Sequence, residues 1–210
     1  MLFITEIIIW YLLLLLATRM AGRDGLMAFV VGAAIIANVE TIQFVDVFGV
    51  RIPGGSIPFA CLFLATDVSS EIYGRLFSRK LVLFSGLAMC LSSFIFALFG
   101  MNGGVSTSYH ETLDSTVRIA LASLVVYYIC GQIDVRLYHV IGKATRYKWL
   151  RNNIATISAQ LVNAFLFILL AFGWIGFEPI IGNWMISLLL ALVDTPMIYL
   201  LTGHDDYLED

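Results

Sequence analysis

Asp67 and Glu71 stand one helical turn apart in the stretch from Ser56 to Gly74, SIPFACLFLATDVSSEIYG, with Ser70 on the same face between them. The run is otherwise apolar and reaches most of the way across a bilayer. A carboxylate there is costly unless it faces the bundle interior, a partner or a water-filled cavity. Isolated polar side chains recur in later apolar runs: Gln132 and Asp134, then Gln160 and Asn163, then Asp194, two residues before Pro196. Carboxylates accept from N–H donors, and the amides of Gln and Asn both donate and accept. The set therefore suits a flat, neutral, hydrogen-bond-rich molecule such as a nucleobase. A cationic substrate fits the charges alone equally well. Phe59, Phe63, Tyr73, Tyr127, Tyr128 and Phe165 offer rings for stacking. Any single Ser, Asn or Gln also fits a plainer role as interhelical glue worth about 1 kcal/mol. A carboxylate is an expensive route to one hydrogen bond, which favours a site for Asp67, Asp134 and Asp194.

The elements that must position these residues are membrane helices. Hydrophobic residues make up 60% of the chain and charged ones 13%, and the charges cluster between apolar blocks, the pattern of a polytopic membrane protein. Seven spans are predicted, giving an all-α helical bundle: 2–18, 26–46, 57–74, 81–100, 117–142, 153–174 and 184–202. With the N-terminus outside and the C-terminus inside, the inner loops hold Arg19, Arg23, Arg75, Arg79, Lys80, Arg136, Lys143, Arg146, Lys148 and Arg151. The outer side keeps Arg51 and Arg118. The positive-inside rule selects that orientation. The first span has Glu6, no basic stretch ahead of it and positive charges after it, so it reads as a retained helix rather than a signal peptide. In the second span Ala28 and Gly32 form a small-xxx-small pair suited to close helix contact. Val47 to Ser56, with Pro53, Gly54 and Gly55, excludes a regular helix and reads as a connection dipping into the outer face. The whole chain, 1–210, reads as one integral membrane domain with an acidic cytoplasmic tail over 203–210.

Rise per residue fixes depth. At about 1.5 Å per residue, Asp67 lies roughly 12 Å from the inner end marked by Arg75, Gln160 roughly 13 Å from Arg151, and Asp194 about 12 Å from Thr202. Gln132 and Asp134 come to roughly 12 to 15 Å from Gly142 by the same rise. Four helices thus contribute to one layer near the midplane, the way secondary transporters build substrate sites. Ser70, Glu71, Asn38 and Glu40 form a secondary set. Asn38 and Glu40 stand toward an outer entrance, and Glu71 lies nearer the inner interface, where Arg75 or Arg79 is the expected partner.

Other motifs carry less. His110, Glu111 and Asp114 follow HExxD and not the HExxH spacing that puts two imidazoles on one helix face, so no metal site is expected. Cys61, Cys90 and Cys130 have no ligand spacing and read as packing residues. In RYKWLRNN, Trp149 among basic residues reads as an orientation and lipid anchor rather than a nucleic-acid site, with Asn152 or Asn153 capping the next helix. No cofactor is implied.

The segment PFACLFLATDVSSEIYG resembles the signature of the queuosine precursor transporters, a group within the vitamin uptake transporters. GQIDVRLYHVIGKAT, WLRNNIATISAQLVNAFLFILLAFGW and VDTPMIYLLTG agree in order and spacing, and the likeness covers residues 59–202. The resemblance implies an inner-membrane carrier, not an enzyme, that imports 7-deazaguanine bases for queuosine in tRNA. It places the substrate-binding positions on Asp67, Gln132, Asp134, Gln160, Asn163 and Asp194, with Asn163 standing where similar sequences often have Asp. It also implies a six-helix core to which the N-terminal helix is an addition. A guanine-like edge would present N1–H and amino donors to one carboxylate, Asp67 by preference, and O6 to an amide N–H. Two other readings fit the composition: the substrate-capture component of an energy-coupling-factor transporter, and a non-catalytic membrane scaffold. The partners expected are a small nucleobase-like substrate and lipid, with no nucleic acid bound directly and homo-oligomerisation left open.

Overall fold

The computed structural model describes residues 2–41, 43–47, 49–100, 107–174 and 176–202; side chains of residue 2, of 107–117 and of residue 120 are outside that description. The acidic tail 203–210 and the side chains of His110, Glu111 and Asp114 therefore lie outside the described residues. Six helices and one β-hairpin follow in the order α1 (Leu2–Glu40), β1 (Phe44–Val47), β2 (Val50–Pro53), α2 (Ser56–Tyr73), α3 (Arg75–Gly100), α4 (Thr107–Ala144), α5 (Lys148–Phe172) and α6 (Glu178–Thr202). Four of them, α1, α3, α5 and α6, are long and apolar enough to cross a membrane. Side chains such as Leu12, Leu16, Leu87, Leu91, Phe94 and Leu192 are exposed on the outside of the bundle. An apolar exterior of this kind belongs against lipid, where helices satisfy their own backbone groups.

The two spans expected at 2–18 and 26–46 are one helical element broken at Gly22, where φ 52° and ψ −122° leave the helical region. The break reverses the chain. The rings of Trp10 and Phe29 meet edge-on at 5.9 Å, and a Cβ on Gly25 would fall 1.9 Å from the Ala17 carbonyl oxygen. In a straight helix Trp10 and Phe29 would stand about 28 Å apart, so the two arms of α1 lie back against each other. A positive φ is available to glycine at little steric expense, which is why the turn sits there.

The second arm stops at Glu40, short of Asp46. Phe44–Val47 instead pairs antiparallel with Val50–Pro53, Phe44 opposite Pro53 and Val47 opposite Val50. The alternation of FVDV and VRIP puts Val47 and Ile52 on one face, and both pack against Ala60 of α2 and Ile186 and Leu190 of α6. The seat is close, since a Cβ on Gly182 would meet Val50 Cγ1 at 2.3 Å.

α2 is the central helix. From Ser56 to Ser70 every residue except Phe59 is buried, and α1, α3, α4, α5 and α6 all pack around it. A helix buried on all sides needs little amphipathicity, and the polar side chains it carries must find partners inside. Pro58 falls in its first turn, where a missing N–H is harmless, and Gly74 at φ 79° ends it. α4 begins at Thr107, so part of the polar segment expected as an outer loop is helical backbone.

The bundle has two distinguishable ends. At the basic end, the Gly22 turn approaches Tyr73, Arg23 lies over the rings of Tyr73 and Phe77, Arg19 donates to the Leu200 carbonyl, and Lys148 reaches Thr202. At the hairpin end, Phe44 packs on Phe172, and Ser56 donates to the Pro53 carbonyl at 2.7 Å and lies 2.9 Å from Asn183 Oδ1.

Candidate functional site

Asp67, in the middle of the central helix, meets Asp134 of α4. Both are fully buried, and one threonine hydroxyl reaches both carboxyls. Thr156 of α5 lies between them, its hydroxyl 3.0 Å from Asp67 Oδ2 and 3.4 Å from Asp134 Oδ1. Thr66 places its hydroxyl 3.3 Å from Asp134 Oδ2 while donating to the Phe63 carbonyl at 2.7 Å. Three helices therefore supply one compact group of two acids and two hydroxyls. Asp67 Oδ1 has no donor among the described residues.

Asp194 of α6 is the third buried acid. Tyr11, on the first arm of α1, donates its hydroxyl to Asp194 Oδ1, while Asp194 Oδ2 has no partner. Asp194 is within electrostatic reach of both Asp134 and Asp67. The N-terminal arm thus contributes a side chain to the acid layer.

Gln160 and Asn163 lie one and two turns further along α5 from Thr156, toward the hairpin end, and they bond to each other, Asn163 Nδ2 donating to Gln160 Oε1 at 3.1 Å. They border a cavity with Ser56, Ser123, Asn183 and Ser187, walled by the rings of Phe59 and Phe167. Its free space is about 20 Å³, room for roughly a single water molecule, so a bicyclic ligand enters only if the lining helices part. Ser123 Oγ, on this wall, is buried with no partner. Gln132, two residues before Asp134, lies about 200° round α4 from it. It is half-buried, and no hydrogen bond joins it to the acids among the described residues.

The secondary set is dispersed. Ser70 donates to Ser78 of α3 at 2.8 Å. Asn38 Nδ2 donates to Ser93 at 2.9 Å. Glu40 lies within electrostatic reach of Glu6 at the hairpin end. Glu71 pairs neither with Arg75 nor with Arg79: Arg151 Nη2 is 3.1 Å and Lys148 Nζ 3.5 Å from its Oε1, and Tyr138 donates to its Oε2 at 2.9 Å. Arg151 also stacks over Tyr138, 5.4 Å from the ring centre. Lys148 and Arg151 are each about 1% exposed, so these two basic residues serve the interior rather than lipid headgroups. Arg146, Tyr147 and Trp149 of that segment face outward. The N-cap of α5 is Tyr147, not Asn152 or Asn153, and Asn153 bonds instead to the Trp149 carbonyl and to Thr195.

Sequence reasoning missed Tyr11, Thr66, Thr156 and Ser123. Thr156 alone had a legible signal, standing one turn from Gln160 on the polar face of α5.

Acids and amides of this kind, on an apolar bundle with no bound chemistry of its own, recur in many membrane proteins. Family membership decides between them. Residues 53–201 match the family described as "Putative vitamin uptake transporter". The chain belongs to that family. Its members are transporters rather than enzymes, and the long apolar helices agree with a multi-pass membrane protein. The chain is 28% identical over 207 residues to the "Probable queuosine precursor transporter" of Bacillus subtilis (strain 168), covering 91% of this chain and 90% of the relative. It is also 28% identical over 154 residues to the "Queuosine precursor transporter" of Escherichia coli (strain K12), covering 71% of this chain and 67% of the relative. No solved structure matches it. The matched segment begins at Pro53 and so includes Asp67, Asp134, Thr156 and Asp194, whereas Tyr11 lies on the arm that precedes it.

Proposed function

We propose that this vitamin-uptake-family protein imports queuosine precursors, 7-deazaguanine bases such as the 7-cyano and 7-aminomethyl forms or queuine, across the cell inner membrane for salvage into tRNA. The observation that carries the proposal is Asp67: wholly buried at the centre of the bundle, linked through the Thr156 hydroxyl to a second acid, and with an oxygen open to a donor. A guanine edge carries adjacent N1–H and amino donors that match one carboxylate. Asp67 takes that edge, and Asp134 and Asp194 complete the layer. Gln160, Asn163 and Gln132 supply amides on the approach, with Phe59 and Phe167 as stacking surfaces.

Counting each arm of α1 as a crossing, the chain passes the membrane seven times, with the hairpin end outside and the basic end in the cytoplasm. The distribution of Lys and Arg between the two ends supports this direction. The cavity at the hairpin end then opens toward incoming substrate.

The test is the queuosine content of tRNA in bacterial cells that cannot make the precursors, grown on limiting 7-deazaguanine base and expressing this protein or Asp67→Asn. Restoration by the wild type and loss of at least about 100-fold of that restoration in the variant, at equal membrane levels, is the expected result; several kcal/mol of lost pairing to a buried acid corresponds to such a factor. A correctly inserted wild type that restores nothing across the precursor bases would sink the substrate assignment.

A further inference from the structure

Asn152 is fully buried in the second turn of α5, and neither its Nδ2 nor its Oδ1 has a hydrogen-bond partner; no other described amide has both atoms orphaned. An amide stripped of water and left unpaired is destabilising on both its donor and its acceptor side, so its partner is a molecule other than the protein. Position indicates which. Asn152, Thr156 and Gln160 follow one another at four-residue spacing on one face of α5, and Thr156 is the residue that touches Asp67. Asn152 therefore stands one turn, about 6 Å, on the basic side of Asp67's hydroxyl partner, as Gln160 stands one turn on the hairpin side. Gln160 Oε1 is already held by Asn163, and the cations next to Asn152, Lys148 and Arg151, are held by Glu71. Asn152 is, among the described residues of this face, the amide with both its donor and its acceptor buried and open.

We infer that Asn152 is a specificity-determining contact for the carbonyl at C6 of the transported base, donating from Nδ2 while Asp67 accepts from N1–H and the 2-amino group. This rests on the substrate class proposed above. The chemistry is selective because a 7-deaza base has carbon where guanine has N7. In the 7-aminomethyl form O6 is thus the single acceptor on that edge, and one fixed N–H donor reads it. The empty protein bears the expense of an unpaired amide, and the bound base relieves it.

The experiment compares, on the purified full-length protein, binding of 7-aminomethyl-7-deazaguanine with binding of its 6-thio analogue, which keeps N1–H and the 2-amino group but carries a much weaker acceptor, in wild type, Asn152→Leu and Asn152→Ala. The wild type should prefer the 6-oxo base by roughly tenfold or more, the worth of one buried hydrogen bond. In both variants the preference should fall below about threefold, while the melting temperature of empty Asn152→Leu stays level or rises. A preference retained in either folded variant overturns the inference, because an amide that merely met a water would not move that ratio. A wild type that binds neither base while melting cooperatively overturns the substrate class itself, and the role of Asn152 with it.

Discussion

The two buried charged groups on α2, one turn apart, are built in opposite ways. Around Glu71 both carboxylate oxygens are engaged, by Arg151, Lys148 and Tyr138. Around Asp67 the neighbours are another acid and threonine hydroxyls, and one oxygen is left open; Asp194, on the neighbouring helix, is likewise open at Oδ2. A closed set of opposite charges fastens α2 to α4 and α5 and has no capacity left for a ligand. Like charges with open oxygens do little for the fold and are what an incoming donor requires. Polarity inside the membrane is therefore not one signal but two, and the number of partners separates them.

Substitutions can break that contrast. The largest loss of stability is expected for Glu71→Gln, which leaves Lys148 and Arg151 buried without their carboxylate and should destabilise the protein by roughly 3 to 5 kcal/mol. Denaturation in detergent reads this directly, and a loss below about 1 kcal/mol would show that the pair is solvated rather than buried. Tyr11→Phe is next. It removes the one donor to Asp194 and should cost about 1 to 3 kcal/mol for the acceptor left unpaired. Uptake should fall with it, since the acid is no longer fixed in position; unchanged uptake would separate the N-terminal arm from the site. Smallest in stability is Asp67→Asn, expected within about 1 kcal/mol of the wild type because it replaces one of two adjoining acids by a neutral amide of the same shape. Its uptake should nevertheless be lost. A variant that instead fails to fold would place Asp67 on the structural side of the comparison, beside Glu71.

The sequence showed α2 and its acids clearly, for a simple reason: a carboxylate inside an apolar run is visible wherever it stands, and depth follows from counting residues. Asp67 and Asp134 do meet, as the shared layer suggested. Partners drawn from ordinary residues were not visible. Tyr11 is one aromatic in an apolar run, and nothing local marks it as the donor to an acid 183 positions away. Lys148 and Arg151 look like headgroup anchors in a linear reading, because which way a basic side chain turns at a helix start depends on whether an unpaired Glu71 waits behind it. The hairpin was hidden by its brevity: four residues of FVDV continue the apolar character of the second arm, and only the pairing with VRIP gives them a strand geometry.

The hydrogen bond between Tyr11 and Asp194 also sets an order of events during synthesis. Tyr11 leaves the ribosome 183 residues ahead of Asp194. Until α6 enters the bundle, the acid layer lacks one of its three carboxyls and the first arm lacks its distant tether. Contacts between residues so far apart in sequence form late and slowly. The nascent chain thus acquires its complete set of buried acids only when α6 arrives.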